Sequence, residues 1–267
     1  MTDQPQGNLP SLEHQAIIRR EADALLAALT AADPAAPVPT CPDWTVRDLV
    51  DHLGQIHQWT CKSLSSPPVP PGETPRPPAH PTQGVGEADL GAWYADCVED
   101  LLKALATTDP AHPCWTFQVG NQTAAFWSRR QSHELAMHRN DLYAAVGHPF
   151  GYEAGHAADG IAEVLDVFFP RRVVWGWAPI DAGAPVLLEC TDRPERWLIT
   201  PADGGAHVAA GPDLPDARAG SAAAQVRGPA AGLLLALWKR QDPAAAGLRV
   251  DGDADLAARF LASRLTP

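Results

Sequence analysis

Residues 129–141 read Arg129-Arg130-Gln131-Ser132-His133-Glu134-Leu135-Ala136-Met137-His138-Arg139-Asn140-Asp141. Where this stretch falls in a fold depends on which of its charged groups share a face. His133 and His138 are five residues apart, so at about 100° per helical residue they point about 140° away from each other, and the zinc-protease pattern H-E-x-x-H is not met. Glu134 and His138, four apart, differ by about 40° and stand one turn apart on one face, with Arg130 and Asp141 within about 40° of Glu134 on the same face. Phe126, Met137 and Leu142 flank that face, and Trp127 and Ala145 continue it. Charge on a half-buried stripe is costly unless it is paired or bound to a metal. Taken alone, the stretch reads as an Arg130–Glu134–His138 ion-pair ladder on an exposed face of a helix over 123–147, closed by Gly147 with Pro149 beyond.

Working outward, Cys41-Pro42-Asp43-Trp44 precedes Thr45-Val46-Arg47-Asp48, where Thr45 can cap a helix and Asp48 can answer it in a capping box. The helix predicted over 45–62 carries an apolar stripe of Val46, Leu49, Val50, Leu53, Ile56 and Thr60. His52 lies at the edge of that stripe and His57 nearer its centre. Either one can face another helix of a bundle, and periodicity does not choose between them. Amphipathic patterns predict two more helices, over 12–29 and 87–106, making four in the first half and therefore a bundle. Between the second and third, residues 66–84 hold eight prolines and read as a surface loop.

After Gly151 the pattern changes. A helix over about 156–169 is expected to stop at Pro170, followed by strand-like runs at 173–177, 185–190, 196–200, 206–209 and 223–227. Helices are expected over 230–240 and 254–263, with a short strand at 248–250 between them. This half reads as a small α+β domain, and the chain as two domains, 1–150 and 151–267.

Composition restricts the function. The 267 residues carry 32 Asp and Glu against 20 Lys and Arg, a net charge of −12, which repels phosphate backbones and anionic lipid, so no nucleic-acid or membrane partner is expected. The five cysteines are odd in number and show no CxxC spacing, which fits a reducing compartment without a disulfide framework. With no secretory leader pattern and no long apolar run, the protein is read as cytoplasmic. No G-x-S-x-G nucleophile pattern is present, so metal-independent hydrolysis is the least favoured class.

The segments Cys41-Pro42-Asp43-Trp44-Thr45-Val46-Arg47-Asp48-Leu49-Val50-Asp51-His52-Leu53 and Arg130 to Asp141 together resemble the maleylpyruvate isomerase family of mycothiol-dependent enzymes. Gln225 to Ala230, Leu235-Ala236-Leu237-Trp238-Lys239-Arg240 and Val250-Asp251-Gly252-Asp253 are similar to that family's second domain. The resemblance implies an all-α, DinB-like four-helix bundle followed by an α+β, sterol-carrier-protein-like domain. It implies a divalent metal, with zinc the expected ion, held by His52, Glu134 and His138, and so selects His52 over His57. It further implies mycothiol as thiol cosubstrate and a small electrophile as substrate, with isomerisation or S-transfer as the reaction. Arg130 and Asp141 are the expected cofactor-side residues, Asp141 as a group that orients an imidazole. Arg240 is the expected catalytic arginine for an anionic substrate. A mycothiol S-transferase and a non-catalytic metal- or ligand-binding regulator are the alternatives, and the assembly is expected to be a monomer or small homo-oligomer.

Overall fold

In the computed structural model, residues 9–69, 89–118, 120–171, 184–202, 205–211, 214 and 219–267 are described. They form two compact units, one of Leu9–Phe150 and one that begins at Gly151. The first is a bundle of α1 (Ser11–Leu29), α2 (Val46–Leu64), α3 (Leu90–Thr107) and α4 (Ala124–Val146). Helix α1 packs chiefly on α4 and α2 on α3, while α1–α3 and α2–α4 contacts complete the ring. Ile18, Leu25, Leu49, Leu53, Tyr94, Leu101, Trp127, Leu135 and Leu142 fill its interior.

The capping box starts α2 as its sequence requires. Thr45 Oγ1 accepts from the Asp48 amide and the Asp48 carboxylate accepts from the Thr45 amide, so two helix-end donors are satisfied reciprocally. Gly147 closes α4 with φ +69°, the left-handed conformation that glycine adopts without penalty. Helix α4 departs from the exposed-ladder expectation. It is buried nearly all round, with Arg130, His133, His138 and Asp141 among its buried residues. Its weak amphipathicity reflects three helix neighbours, not a solvent face.

Close approach of α2 and α3 depends on Gly54, where a Cβ would lie 2.2 Å from the Trp93 ring. Gly54→Ala is therefore expected to lower stability by about 1–3 kcal/mol, the usual cost of overpacking. A denaturation midpoint equal to wild type would show that Trp93 swings aside freely.

In the second unit, α5 (Ala154–Glu163) is capped by the Glu153 carboxylate, which accepts from the Gly155 and His156 amides. The expected stop at Pro170 does not occur. The chain widens into a π turn at Val164–Phe168 and stays helical through Phe169–Arg171. The hydrogen-bond ladder has already left α register there, so a residue lacking an N–H is accommodated. Five strands follow, β1 (Val186–Cys190), β2 (Arg196–Ala202), β3 (Gly205–Ala210), β4 (Ala224–Gly228) and β5 (Arg249–Gly252), in the order β3-β2-β1-β4-β5. The β1–β4 pair is parallel and the other pairs are antiparallel. Helices α6 (Ala230–Leu237) and α7 (Ala254–Ala262) pack on this sheet. The expected strand at 173–177 and most of the proline-rich segment lie outside the described residues.

Helix α6 ends at Leu237, three residues before the expected end. Lys239 takes φ +60°, and the Lys239 and Arg240 amides donate back to Ala236 O and Leu235 O. This is the paired closure of a left-handed C-cap, here made by a residue other than glycine. Arg240 thus lies beyond the helix.

Candidate metal centre

The loop before α2 and the stretch of α4 from Arg130 to Asp141 bring the polar residues of the bundle together. Backbone hydrogen bonds pin the loop: Val38 N–H donates to Trp44 O, Cys41 N–H to Val38 O and Trp44 N–H to Cys41 O. Asp43 takes φ +70° at its tip. This fold turns Thr40, Cys41 and Trp44 towards α4, while α2 presents His52 to it.

His52 Nε2 lies 3.1 Å from Glu134 Oε1, and His138 Nε2 lies 3.4 Å from the same oxygen. The three donor atoms are all within 4.8 Å of one another. Two nitrogens and an oxygen on a tetrahedral zinc, at bond lengths near 2.0–2.2 Å, stand roughly 3.3–3.5 Å apart, so this donor set fits a divalent ion with only small movements. The second oxygen of Glu134 is held by Arg130 Nη2 at 2.6 Å, which leaves Oε1 for an ion. Burial opposes charge on Glu134, but the Arg130 guanidinium and hydrogen bonds from His138 and His52 outweigh it and hold the carboxyl well below the usual range. Glu134 is a carboxylate at neutral pH.

Behind His138, its Nδ1 lies 2.9 Å from Asp141 Oδ2. Asp141 is fully buried and also accepts from Thr40 Oγ1 at 2.6 Å and Cys41 Sγ at 3.3 Å. A hydrogen bond of this kind fixes the imidazole tautomer so that Nε2 offers its lone pair to a metal. Burial would lower the His138 pKa, but hydrogen bonds to Asp141, Cys41 and Glu134 reverse this and hold it well above the ordinary histidine value, so without an ion Nε2 carries a proton that a metal must displace. Trp44 walls the site, its ring 4.8 Å from that of His52 and stacked 5.9 Å from that of His138.

The two histidines that periodicity could not separate have different surroundings. His57 is fully buried in the core, where other partners hold both of its ring nitrogens. Its Nδ1 pairs with Gln131 Oε1 at 2.7 Å, its Nε2 lies 3.2 Å from the Tyr94 hydroxyl, and Gln131 Nε2 donates to Thr60. The Gln131 oxygen accepts, so the ring donates from Nδ1 and Nε2 accepts from Tyr94. His133 points to α1, with its ring edge-on to His14 at 5.8 Å.

Burial pushes the His57 pKa down to about 4. Between pH 6.5 and about 4 the unfolded chain takes up a proton there that the folded chain refuses, so stability falls as pH falls through this window, by up to about 1.4 kcal/mol per pH unit. His57→Asn is expected to flatten this slope in urea denaturation series; an identical slope would place the acid sensitivity elsewhere.

Arg240 belongs to the second unit. Its Nη1 donates to Trp238 O at 3.2 Å, and with Lys239, Val250 and Leu261 it lines a cavity of about 510 Å³. Thr40, Cys41 and Trp44 were not marked as site residues by the sequence reading, although the tight Cys-Pro-Asp-Trp loop just before a capped helix was a usable signal for a structured support.

Residues 16–143 match the family model described as the mycothiol maleylpyruvate isomerase N-terminal domain, and residues 155–259 match the MDMPI C-terminal domain. Among solved structures, the mycothiol-dependent maleylpyruvate isomerase is 17% identical with a TM-score of 0.60. A histidine-to-alanine mutant of it is 16% identical with a TM-score of 0.63. Each alignment covers 92% of this chain and 95% of the other, and at this identity shows a shared fold. No curated protein matches. With both of its units matched by the family's two domain models, the chain belongs to the mycothiol maleylpyruvate isomerase family.

Proposed function

We propose that the protein is a mycothiol-dependent metalloenzyme that isomerises a small electrophilic substrate, with His52, Glu134 and His138 as the metal ligands. The observation that carries this reading is the convergence of three donor atoms within 4.8 Å on a partly buried, internally braced site. A divalent ion held by His52, Glu134 and His138 would supply Lewis acidity, the chemistry that lowers a thiol's pKa towards neutral pH. Three protein ligands leave at least one position for an exchangeable partner, as a catalytic site requires.

The chain's own residues have separable tasks. Glu134 supplies the anionic ligand, and Arg130 holds its other oxygen so that Oε1 keeps one orientation. Asp141 retains the proton on His138 Nδ1 and thereby keeps Nε2 basic. Trp44 covers the imidazole rings and limits water on that side. None of the five cysteines is required as nucleophile, because the reactive sulfur arrives on the cosubstrate. Arg240, in the second unit, is proposed to hold an anionic group of the substrate, and Arg130 and Asp141 to act on the cofactor side through the ligands they brace. Among the described residues no helix is long and apolar enough to cross a membrane. A cytoplasmic location, zinc as the ion and a monomer or small homo-oligomer complete the reading.

The test is turnover of maleylpyruvate and a panel of other small electrophiles, with mycothiol, with other cellular thiols and with none, before and after metal removal. Isomerisation that needs both metal and mycothiol and returns the free thiol supports the proposal. Stoichiometric loss of thiol into a conjugate would identify an S-transferase, and thiol-independent turnover or none would overturn the reading.

A further inference from the structure

His138 has two ring nitrogens, and the proposed metal centre uses only one. On the other side, Nδ1 lies 2.9 Å from Asp141 Oδ2, and Cys41 Sγ lies 3.3 Å from that same oxygen. These three donor atoms also lie within 4.8 Å of one another, and all three residues are buried. Thr40 Oγ1 binds the other Asp141 oxygen at 2.6 Å, so Oδ2 is kept turned towards the thiol and the ring. The Cys41 backbone is fixed by its own N–H to Val38 O and by Trp44 N–H to its carbonyl, which holds the sulfur in place.

We propose that Cys41, Asp141 and Nδ1 of His138 form a second ion site, specific for thiophilic divalent cations, that fills in alternation with the first. A sulfur, a nitrogen and a carboxylate oxygen make a donor set that favours zinc and cadmium over magnesium, calcium or manganese. Binding replaces two bonds to hydrogen by two bonds to the ion. The S–H proton of Cys41 leaves to solvent; a doubly protonated ring also releases its Nδ1 proton and keeps the one on Nε2, whereas a neutral ring passes its Nδ1 proton by way of solvent to Nε2, which faces Glu134 Oε1 at 3.4 Å. The first site needs the opposite tautomer, with the lone pair on Nε2 and the proton on Nδ1. One ring in one tautomer serves one ion, so a soft cation on the Cys41 side takes His138 from the other site. The alternation rests on the metal reading above; the cysteine site does not.

The test uses the full-length protein stripped of metal and titrated with cadmium chloride, following the ultraviolet thiolate-to-cadmium charge-transfer band. The expected result is a saturable band in the wild type and in His52→Ala, and its loss in Cys41→Ser, which retains the other four cysteines. Circular dichroism checks that Cys41→Ser is folded, and Cys41→Ala serves if it is not. No band in the wild type, an equal band in the Cys41 variants, or loss of the band in His52→Ala would overturn the site. Cadmium is also expected to lower zinc affinity at least about tenfold, a free-energy change of about 1.4 kcal/mol, in wild type but not in Cys41→Ser; equal zinc affinity with and without cadmium would overturn the alternation. If zinc binds the His52→Ala/Cys41→Ser double variant as tightly as Cys41→Ser while the cadmium band behaves as stated, the first site has failed and the second stands.

Discussion

Glu134→Ala is expected to lose both bound metal and thiol-dependent turnover, and in metal-free protein to be less stable than wild type by about 3–5 kcal/mol. Two effects coincide because Glu134 has two oxygens in two roles. Oε1 faces both imidazoles, whereas Oε2 is held by the guanidinium of Arg130, whose side chain is only 5% exposed. Removing one partner of a buried ion pair costs far more than the pair contributes, because the remaining charge stays desolvated. His52→Ala separates the effects. Its side chain is 31% exposed, so its removal is expected to abolish binding of an ion between Glu134 and Nε2 of His138, read in a Cys41→Ser background, while changing stability by less than about 1 kcal/mol. Metal analysis and urea denaturation of the two variants check this together. Full metal occupancy in Glu134→Ala, or equal stability losses in the two, would show that the residues do not divide the work in this way.

Asp141→Ala is expected to weaken metal binding about 10–100-fold although Asp141 is not a ligand of the proposed centre. The carboxylate accepts from His138, Thr40 and Cys41 in a fully buried position. Without it the Nδ1 proton has no fixed acceptor, the ring is free to take the other tautomer, and Nε2 is no longer reserved for the ion. Loss of three hydrogen bonds to a buried charge also costs stability, at least about 2 kcal/mol. Asp141→Asn keeps the shape, with an amide oxygen for His138 and an amide N–H for Thr40, and is expected to recover part of the affinity. Competition against a chelator of known strength measures both. Equal affinity in Asp141→Ala and wild type would reduce Asp141 to a packing residue.

The bundle was largely legible because local signals agreed. A capping box at Thr45 and Asp48, left-handed Gly147 and a 3.6-residue period in three of the helices fixed the elements to within a few residues. Helix α4 was legible in extent and not in surroundings, since a helix buried on several sides shows little periodicity, and its Arg130–Glu134–His138 ladder looked like a solvent face. The pairing of Glu134 with His138 followed from spacing. The distinction between His52 and His57 did not, because one apolar stripe holds both, and only the neighbours supplied by α3 and α4 separate a core histidine bonded to Gln131 and Tyr94 from one facing Glu134. Thr40 and Cys41 were out of reach for a related reason: they meet Asp141 across about a hundred residues of chain. In the second unit, the continuation through Pro170 and the early end of α6 both rest on local backbone changes, a π turn and a left-handed lysine, that residue preferences do not announce.

The most direct measurement of the central claim is the spectrum of cobalt-loaded protein as mycothiol is added. A metal centre of His52, Glu134 and His138 that accepts the cosubstrate thiol predicts a new thiolate-to-cobalt band that saturates with mycothiol, persists in Cys41→Ser and is missing in His52→Ala. A spectrum that mycothiol leaves unchanged, or an undiminished band in His52→Ala, would contradict it.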